Sequence, residues 1–363
     1  MTKPTSLYIH IPFCEHICDY CDFTKLQYFR KFAISYLEAL KKELDSYKIG
    51  RLKTIYVGGG TPTSLEDDLL EQLFETIKPY TDGVIEYTFE ANPESLSENK
   101  IKLLKKYGVN RISLGVQSTN DEILKYINRN HSFEDVKKSV KLLKENSLNN
   151  INVDLILGLP HASDKYLIED LRNIMELDVW HVSCYALTIH PHTVLFNKGF
   201  KELDGDKMRH YYDIVQDFMS KWEFRHYEVS NWCKEGKESL HNFTYWRNEQ
   251  YYGCGLGASG YIGDVRYKNT TNLTKYLKGE FIEEKEVVTL KDKMTYQIML
   301  NLRTDEGIDL NEFKKEFGVS LLGSKRKEIE EMLAQGYLYE RFKRLMPTYE
   351  GMMILDTIIL KLI

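Results

Sequence analysis

The stretch His10-Ile11-Pro12-Phe13-Cys14-Glu15-His16-Ile17-Cys18-Asp19-Tyr20-Cys21-Asp22-Phe23 carries three cysteines in the spacing C-x3-C-x2-C. Three thiolates on one short loop can hold three irons of a [4Fe–4S] cubane and leave the fourth iron without a protein ligand. A cluster closed by four cysteines suits electron transfer, whereas an open iron can bind and activate a second molecule. The chain has six cysteines in 363 residues, so three unrelated thiols meeting by chance in one loop is the poorer reading. A structural zinc site is the other alternative; it needs a fourth ligand close by, such as His10 or His16.

Outward from this loop the chain alternates strands and helices. Strands are expected at Leu7–Ile11, Thr54–Val57, Glu86–Phe89, Arg111–Val116, Ile151–Leu157 and His181–Leu187. Helices are expected at Phe32–Tyr47, with Ile34, Leu37, Leu40 and Leu44 on its inner face, and at Leu65–Ile77, Ser97–Tyr107, 120–127, 133–146 and Asp164–Met175. Six β-α units in series imply an α/β fold with a parallel sheet, a partial (β/α)6 TIM-like barrel. Chemistry in such barrels sits at the C-terminal ends of the strands. The cysteine loop follows strand one, Gly58-Gly59-Gly60 follows strand two, and Glu90 and Gln117 follow strands three and four. Asp154 and Ala186 lie within or near the ends of strands five and six. Three glycines let backbone approach a ligand closely, and their N–H groups are expected to be free for a carboxylate or amino group. A plain tight turn is the alternative, and it rarely needs three.

Beyond residue 190 a helix is expected near 206–222 and a strand near 225–230, then an aromatic, glycine-rich stretch over Tyr245–Tyr261. The tail reads as helices at Leu290–Leu302, Leu310–Phe317 and Ser324–Gln335, a β pair at Tyr337–Phe342 and Leu345–Thr348, and a last helix over Tyr349–Leu362. Helices followed by a small hairpin make a winged-helix-like module. Residues 309–363 hold nine Lys/Arg and nine Asp/Glu, so no phosphate-binding face stands out, and a lid or docking role is favoured over nucleic-acid binding.

Composition narrows the function classes. Net charge is −5, which gives no global attraction to nucleic acid or anionic lipid. Mean hydropathy is −0.43 and no run of eighteen apolar residues exists, so no transmembrane helix is expected. The N-terminal apolar stretch is too short for a secretory signal. A reducing, cytoplasmic setting favours metal ligation over disulfides.

C-x3-C-x2-C after a first barrel strand, with Gly58-Gly59-Gly60-Thr61-Pro62 after the second, resembles the radical S-adenosylmethionine superfamily. Tyr8-Ile9-His10-Ile11-Pro12-Phe13-Cys14, Glu90-Ala91-Asn92-Pro93, Gly115-Val116-Gln117-Ser118 and Asp154-Leu155-Ile156-Leu157-Gly158-Leu159-Pro160 resemble, more narrowly, the oxygen-independent coproporphyrinogen III oxidase family and its HemW relatives. The resemblance covers most of the chain. It implies a [4Fe–4S] cluster on Cys14, Cys18 and Cys21, with S-adenosylmethionine beside it. The cofactor contacts it implies are Tyr8, Tyr20, Gly59, Gly60, Thr61, Glu90, Gln117, Arg129, Asp154 and Ala186. Bland readings stand beside these. Arg129 is also explained as a surface charge, Asp154 as a cap and Ala186 as a small residue at a crowded strand end. An Asp inside an apolar strand is unusual unless paired, which favours a role for Asp154.

Two features separate the branches. The decarboxylating oxidases resemble C-x3-C-x2-C-x-C, whereas the matching position here is Phe23. His241-Asn242-Phe243-Thr244-Tyr245-Trp246 fits H-N-x-x-Y-W, a pattern of the HemW branch associated with haem. On that resemblance His241 offers an imidazole to iron, and Tyr245 or Trp246 covers a porphyrin face; the alternative is a hydrogen-bonded structural histidine. The chain also starts almost at the first strand, where the oxidase branch carries a longer N-terminal segment. The resemblance thus implies a haem chaperone that delivers haem to acceptors such as membrane-associated respiratory enzymes, itself peripheral to the membrane at most. Coproporphyrinogen oxidation by a radical decarboxylase is the runner-up and is not expected, nucleic acid is not an expected partner, and homodimer formation is left open. The domain organisation expected is a cluster-bearing barrel over 1–235, a connecting segment with the H-N-x-x-Y-W motif over 236–288, and a helical domain over 289–363.

Overall fold

Near-continuous apolar runs such as Ile151–Leu157 suit strands buried on both faces, and six of them pair in chain order. These are β1 (Ser6–Ile11), β2 (Thr54–Gly59), β3 (Glu86–Ala91), β4 (Arg111–Gln117), β5 (Ile151–Leu157) and β6 (His181–Ala186), all parallel. The computed structural model describes residues 3–363; residues 1 and 2, part of the range expected for the barrel, lie outside the described residues. Three of the crossover helices start where a serine side chain caps them. Ser97 accepts from the Lys100 N–H, Ser163 from the Tyr166 N–H, and Ser132 forms a capping box with Asp135. Leu7, Ile9, Val57, Phe89, Leu114 and Val153 are among the fully buried residues of the central core.

The sheet is wider than six strands. At one edge β7 (Arg225–Glu228) and β8 (Asn231–Cys233) add an antiparallel hairpin beside β6. At the other edge β9 (Tyr252–Cys254) pairs parallel with β1, Leu7 facing Tyr252 and Ile9 facing Cys254. A three-stranded antiparallel sheet follows: β10 (Ser259–Ile262), β11 (Val265–Asn269) and β12 (Ile282–Val287). Residues 236–288 therefore do more than connect, since they supply an edge strand and a small sheet of their own. A buried carboxylate clasps this part to the first helix, Arg30–Ser46. Glu43 accepts from the Gly255 N–H at 2.8 Å, the Asn269 amide at 2.6 Å and the Tyr276 hydroxyl at 2.5 Å. The helix accordingly buries Ala33, Tyr36, Leu37, Leu40, Glu43 and Leu44, and Ile34, expected inward, faces out at 36% exposure.

The tail has a second core around Ile298, Leu302, Phe313, Leu345 and Ile358. Its sheet runs Ile308–Asp309, Arg344–Pro347, Leu338–Arg341, with the helices Leu310–Phe317 and Arg326–Ala334 inserted between first and second strands of the chain, a winged-helix-like arrangement. The last helix is two pieces, Tyr349–Met353 and Leu355–Leu362, because Ile354 leaves helical geometry at φ −120. No helix among the described residues is long and apolar enough to cross a membrane.

Glu228 at the end of β7 bridges to Thr304 of the tail and is 1% exposed. It accepts from the Ser230 N–H at 3.3 Å and has no ion-pair partner among the described residues. Burial pushes its carboxyl up to about 8. The unfolded chain ionises this group near the ordinary carboxylate value, while the folded chain keeps it protonated. Its contribution to stability is therefore full below about pH 4.5 and is lost as pH rises through about 8, on the order of 3 kcal/mol by neutrality. Glu228→Gln is expected to flatten the fall in melting temperature between pH 5 and pH 8. An unchanged slope in the variant refutes this.

Candidate cluster and cofactor site

All three loop cysteines line one cavity of about 360 Å³ at the C-terminal ends of the strands. Nine of the ten expected cofactor residues line it too, Tyr8 being the exception. The loop is pinned from several sides: the Tyr28 N–H donates to the Cys14 carbonyl at 2.8 Å, and Lys198 pairs with Asp19 at 2.7 Å. Among the described residues no three His, Cys, Asp or Glu side chains converge to hold a single metal ion. His10 has no free nitrogen for zinc either: Nδ1 is 2.9 Å from the Tyr8 hydroxyl and Nε2 is 2.7 Å from the Thr24 carbonyl.

Each glycine of the triplet makes room for a different neighbour. A Cβ on Gly58 would stand 2.5 Å from the Glu90 carboxylate carbon, and one on Gly59 would stand 2.7 Å from the His10 ring. One on Gly60 would meet the Phe13 carbonyl oxygen at 2.8 Å and Cys14 Sγ at 2.9 Å. Gly59 also sits at φ +118, which only glycine adopts readily. The expectation of free N–H groups fails, because the protein uses them itself. Gly59 N–H donates to Glu90 Oε2 and Gly60 N–H to the Ile11 carbonyl, both at 2.9 Å. The triplet is a close-packing device more than a row of open donors.

Cys14 and Cys18 belong to one hydrogen-bonded chain. The Thr61 hydroxyl lies 3.7 Å from Cys14 Sγ, and Asn92 Nδ2 donates to Thr61 Oγ1 at 3.1 Å. Arg129 donates to Asn92 Oδ1 at 3.0 Å, to the Gly115 carbonyl, and from Nη1 to Cys18 Sγ at 3.5 Å. Arg129 is thus a buried cation and not a surface charge, placed to stabilise thiolate. Burial meanwhile pushes the Cys14 thiol up to about 11 and raises that of Cys21, so a metal centre is what would draw their protons off.

Glu90 accepts from the Tyr56 hydroxyl at 2.8 Å as well as from Gly59, and burial pushes its carboxyl up to about 7. Asp154 is paired, as an Asp in an apolar strand should be: Asn152 Nδ2 donates to it at 2.8 Å and the Ser113 hydroxyl at 3.1 Å. Burial raises its carboxyl also. Gln117 ends β4 at φ +70, beside a register shift at Gly115. A left-handed glutamine costs about 1 kcal/mol or more, a strain that recurs where a side chain is aimed into a site. Ile156, Ala186 and Leu187 add an apolar wall to the same cavity. The cavity therefore combines polar and apolar lining. Asn92 and Tyr56, which carry this network, were not singled out by the sequence reading; the only local signals are Asn-Pro after a strand and a tyrosine before the glycines.

Tyr8 lines a second cavity, of about 400 Å³, with His10, Phe23, Thr24, Tyr245 and Tyr251. Asp22 and Phe23 face both cavities. The H-N-x-x-Y-W segment forms the helix Leu240–Trp246, whose first N–H groups, those of Leu240 and His241, donate to Glu86 at 2.8 Å. His241 is 0% exposed and its ring is occupied on both sides. Nδ1 is 2.8 Å from Thr54 Oγ1 and Nε2 is 2.8 Å from the Tyr245 hydroxyl. Against the expectation that His241 presents an imidazole to iron, both ring nitrogens are engaged by side chains, and the residue lines neither of these two cavities. Burial and the Arg111 charge push the ring down to about 3, so it is neutral. Trp246 does not line the second cavity, whereas Tyr245 does.

The description of the radical SAM superfamily matches residues 8–174, and that of the HemN C-terminal domain matches residues 288–354. A Lactococcus lactis protein named heme chaperone HemW is 40% identical, over 97% of this chain and 95% of the relative. Heme chaperone HemW of Bacillus subtilis is 38% identical, over 96% of both chains. In structure, the coproporphyrinogen III oxidase HemN from Escherichia coli superposes with a TM-score of 0.86, covering 99% of this chain and 90% of that one at 20% identity, a likeness of fold. A three-cysteine loop and glycine triplet at the mouth of a parallel barrel, a matching tail and full-length identity of this order agree, and the chain belongs to the HemW family of the radical S-adenosylmethionine superfamily.

Proposed function

We propose that this chain is a haem chaperone of the HemW type. It holds a [4Fe–4S] cluster on Cys14, Cys18 and Cys21, binds S-adenosylmethionine in the adjoining cavity, takes up haem, and passes it to acceptors such as membrane-associated respiratory enzymes from the cytoplasmic side. The observation that carries the reading is full-length identity of 40% to a relative named heme chaperone. Phe23 supports it, standing where the oxidases resemble a fourth cysteine. When bound, the cluster would supply an electron and an open iron to the cofactor. The chain's own part is to fix the partners. Glu90, held by Tyr56 and Gly59, and Asp154, held by Asn152 and Ser113, face the cavity as oriented acceptors for the cofactor's donors. Gln117 and Arg129 line the same space, and the apolar wall excludes water from the ring.

This intact cavity is also what keeps radical decarboxylation as a second reading. Anaerobic incubation of the reconstituted, reduced protein with S-adenosylmethionine and coproporphyrinogen III separates the two. The expected result is no protoporphyrinogen IX, together with stable haem binding and transfer to an apo acceptor. Steady decarboxylation, or failure to bind haem, overturns the proposal.

A further inference from the structure

We propose that Arg111, on the barrel floor, is a positioning residue for the cofactor: its guanidinium keeps Glu90 and Asp154 as carboxylates, so that the cavity above them prefers a sulfonium ligand over its neutral thioether analogue. This rests on the S-adenosylmethionine-binding reading above and deepens it. Side chains along β4 alternate between the two faces of the sheet. Ser113, Gly115 and Gln117 line the cluster cavity, so Arg111, two residues before Ser113, points into the barrel beneath it. Ile112, Leu114 and Val116 lie in the apolar core. On the neighbouring strand β3, Thr88 stands opposite Arg111 and Glu90 opposite Ser113. Glu90 and Arg111 are therefore diagonal neighbours on one face, about 7–8 Å apart in the backbone and within reach of a long side chain.

Arg111 is 2% exposed, yet among the described residues it forms no ion pair, and its Nε has no hydrogen-bond partner. A buried cation without a contact partner is costly unless opposite charge shares its surroundings. Glu86, below it on the same face of β3, is already taken by the N–H groups of Leu240 and His241. The rings of His181 and His241 are pushed down by burial and by the Arg111 charge, and burial keeps the Tyr56 and Tyr227 phenols protonated. The carboxyls left to answer the guanidinium are Glu90 and Asp154. Their other neighbours are neutral: Tyr8 and Tyr245 near Glu90, Cys184 and Tyr185 near Asp154, all with protons held on by burial. Arg129, the other cation of the cavity, is committed to Cys18, Asn92 and the Gly115 carbonyl. Burial raises both carboxyls, and Asp154 raises Glu90 further; the Arg111 charge opposes this at both. Two carboxylates and one guanidinium leave a single negative charge below the cavity. S-Adenosylmethionine, with its ammonium, carboxylate and sulfonium, carries a single positive one. Without the guanidinium, burial leaves both carboxyls protonated near neutral pH, and nothing answers the sulfonium.

The test uses the full chain with its cluster reconstituted. Equilibrium dialysis measures affinity for S-adenosylmethionine and for S-adenosylhomocysteine, the thioether, between about pH 6 and about pH 9. Wild type is expected to prefer the sulfonium ligand, more strongly as pH rises through about 7 and Glu90 ionises. Arg111→Met, which keeps the bulk of the stem, should lose about tenfold in S-adenosylmethionine affinity near neutral pH, change little towards the thioether, and recover its preference only at higher pH. Titrations of the ligands themselves are common to all variants, so the displaced profile belongs to the protein. Arg111→Lys keeps a charge and should retain the wild-type preference and profile. Iron and sulfide content reports whether each variant holds its fold, and Arg111→Gln repeats the measurement where Arg111→Met does not. An undisplaced pH profile in a folded neutral variant, or equal loss of both ligands at every pH, overturns the role of Arg111 and leaves cofactor binding standing. Collapse of both neutral variants overturns it too, because the charge then serves the barrel and not the ligand. No S-adenosylmethionine bound by wild type overturns the functional reading itself.

Discussion

Cys18→Ala is expected to leave the anaerobically reconstituted protein with no stable [4Fe–4S] centre. Two remaining thiolates cannot hold three irons of a cubane. Cys18 is also the thiol that Arg129 reaches at 3.5 Å, so the substitution removes a ligand and strands a buried cation. Cys184, Cys233 and Cys254 provide the contrast. They lie buried in β6, β8 and β9, away from the loop, and none lines the cluster cavity. Their alanine variants should keep full iron and sulfide content. Iron and sulfide assays on the four variants decide the matter: wild-type content in Cys18→Ala removes the cluster assignment.

Gly60→Ala should come close to the same loss with every cysteine in place. The added methyl would lie 2.8 Å from the Phe13 carbonyl oxygen, 2.9 Å from the Pro12 carbonyl carbon and 2.9 Å from Cys14 Sγ. Two of these are backbone atoms of the strand exit that carries the loop, so relief requires moving Cys14 itself. Overpacking of this kind costs about 1–3 kcal/mol, and here it falls on the position of a ligand. The expected readout is a cluster content well below wild type and faster loss of iron to a chelator. Gly205→Ala is the control, because nothing stands within 4 Å of its added methyl. Equal cluster retention in the two variants refutes the packing argument.

What was legible in the sequence was local. The three-cysteine loop could be read because its thiols fall within eight residues, Cys14 to Cys21, and the six barrel strands because buried parallel strands write themselves as apolar runs. The features that escaped depend on contacts between distant residues. Glu43 looks like one more surface charge on an amphipathic helix until Gly255, Asn269 and Tyr276 are brought to it. β9 is three residues, Tyr252–Cys254, too short for a period to show, and it exists because β1 offers it an edge. The glycine triplet was correctly placed at a strand end, but its N–H partners, Glu90 and Ile11, are set by the sheet and the turn above it. His241 was read from its motif as a ligand. Its orientation follows from Thr54, a residue far away in the chain that no spacing rule links to it.

The pairing of β1 with β9 has a consequence for synthesis. The first strand to leave the ribosome finds β2 soon after, but its other edge stays bare until residues 252–254 emerge. Domains fold as they are made, and non-local pairings are the slow ones. The three-cysteine loop hangs from this half-covered strand through most of translation. Metal offered early meets thiols on an unfinished support, and a ribosome stalled before β9 leaves an open strand edge for other chains to pair with. The strand that carries the cysteine loop is therefore fully flanked only once residues 252–254 have been made.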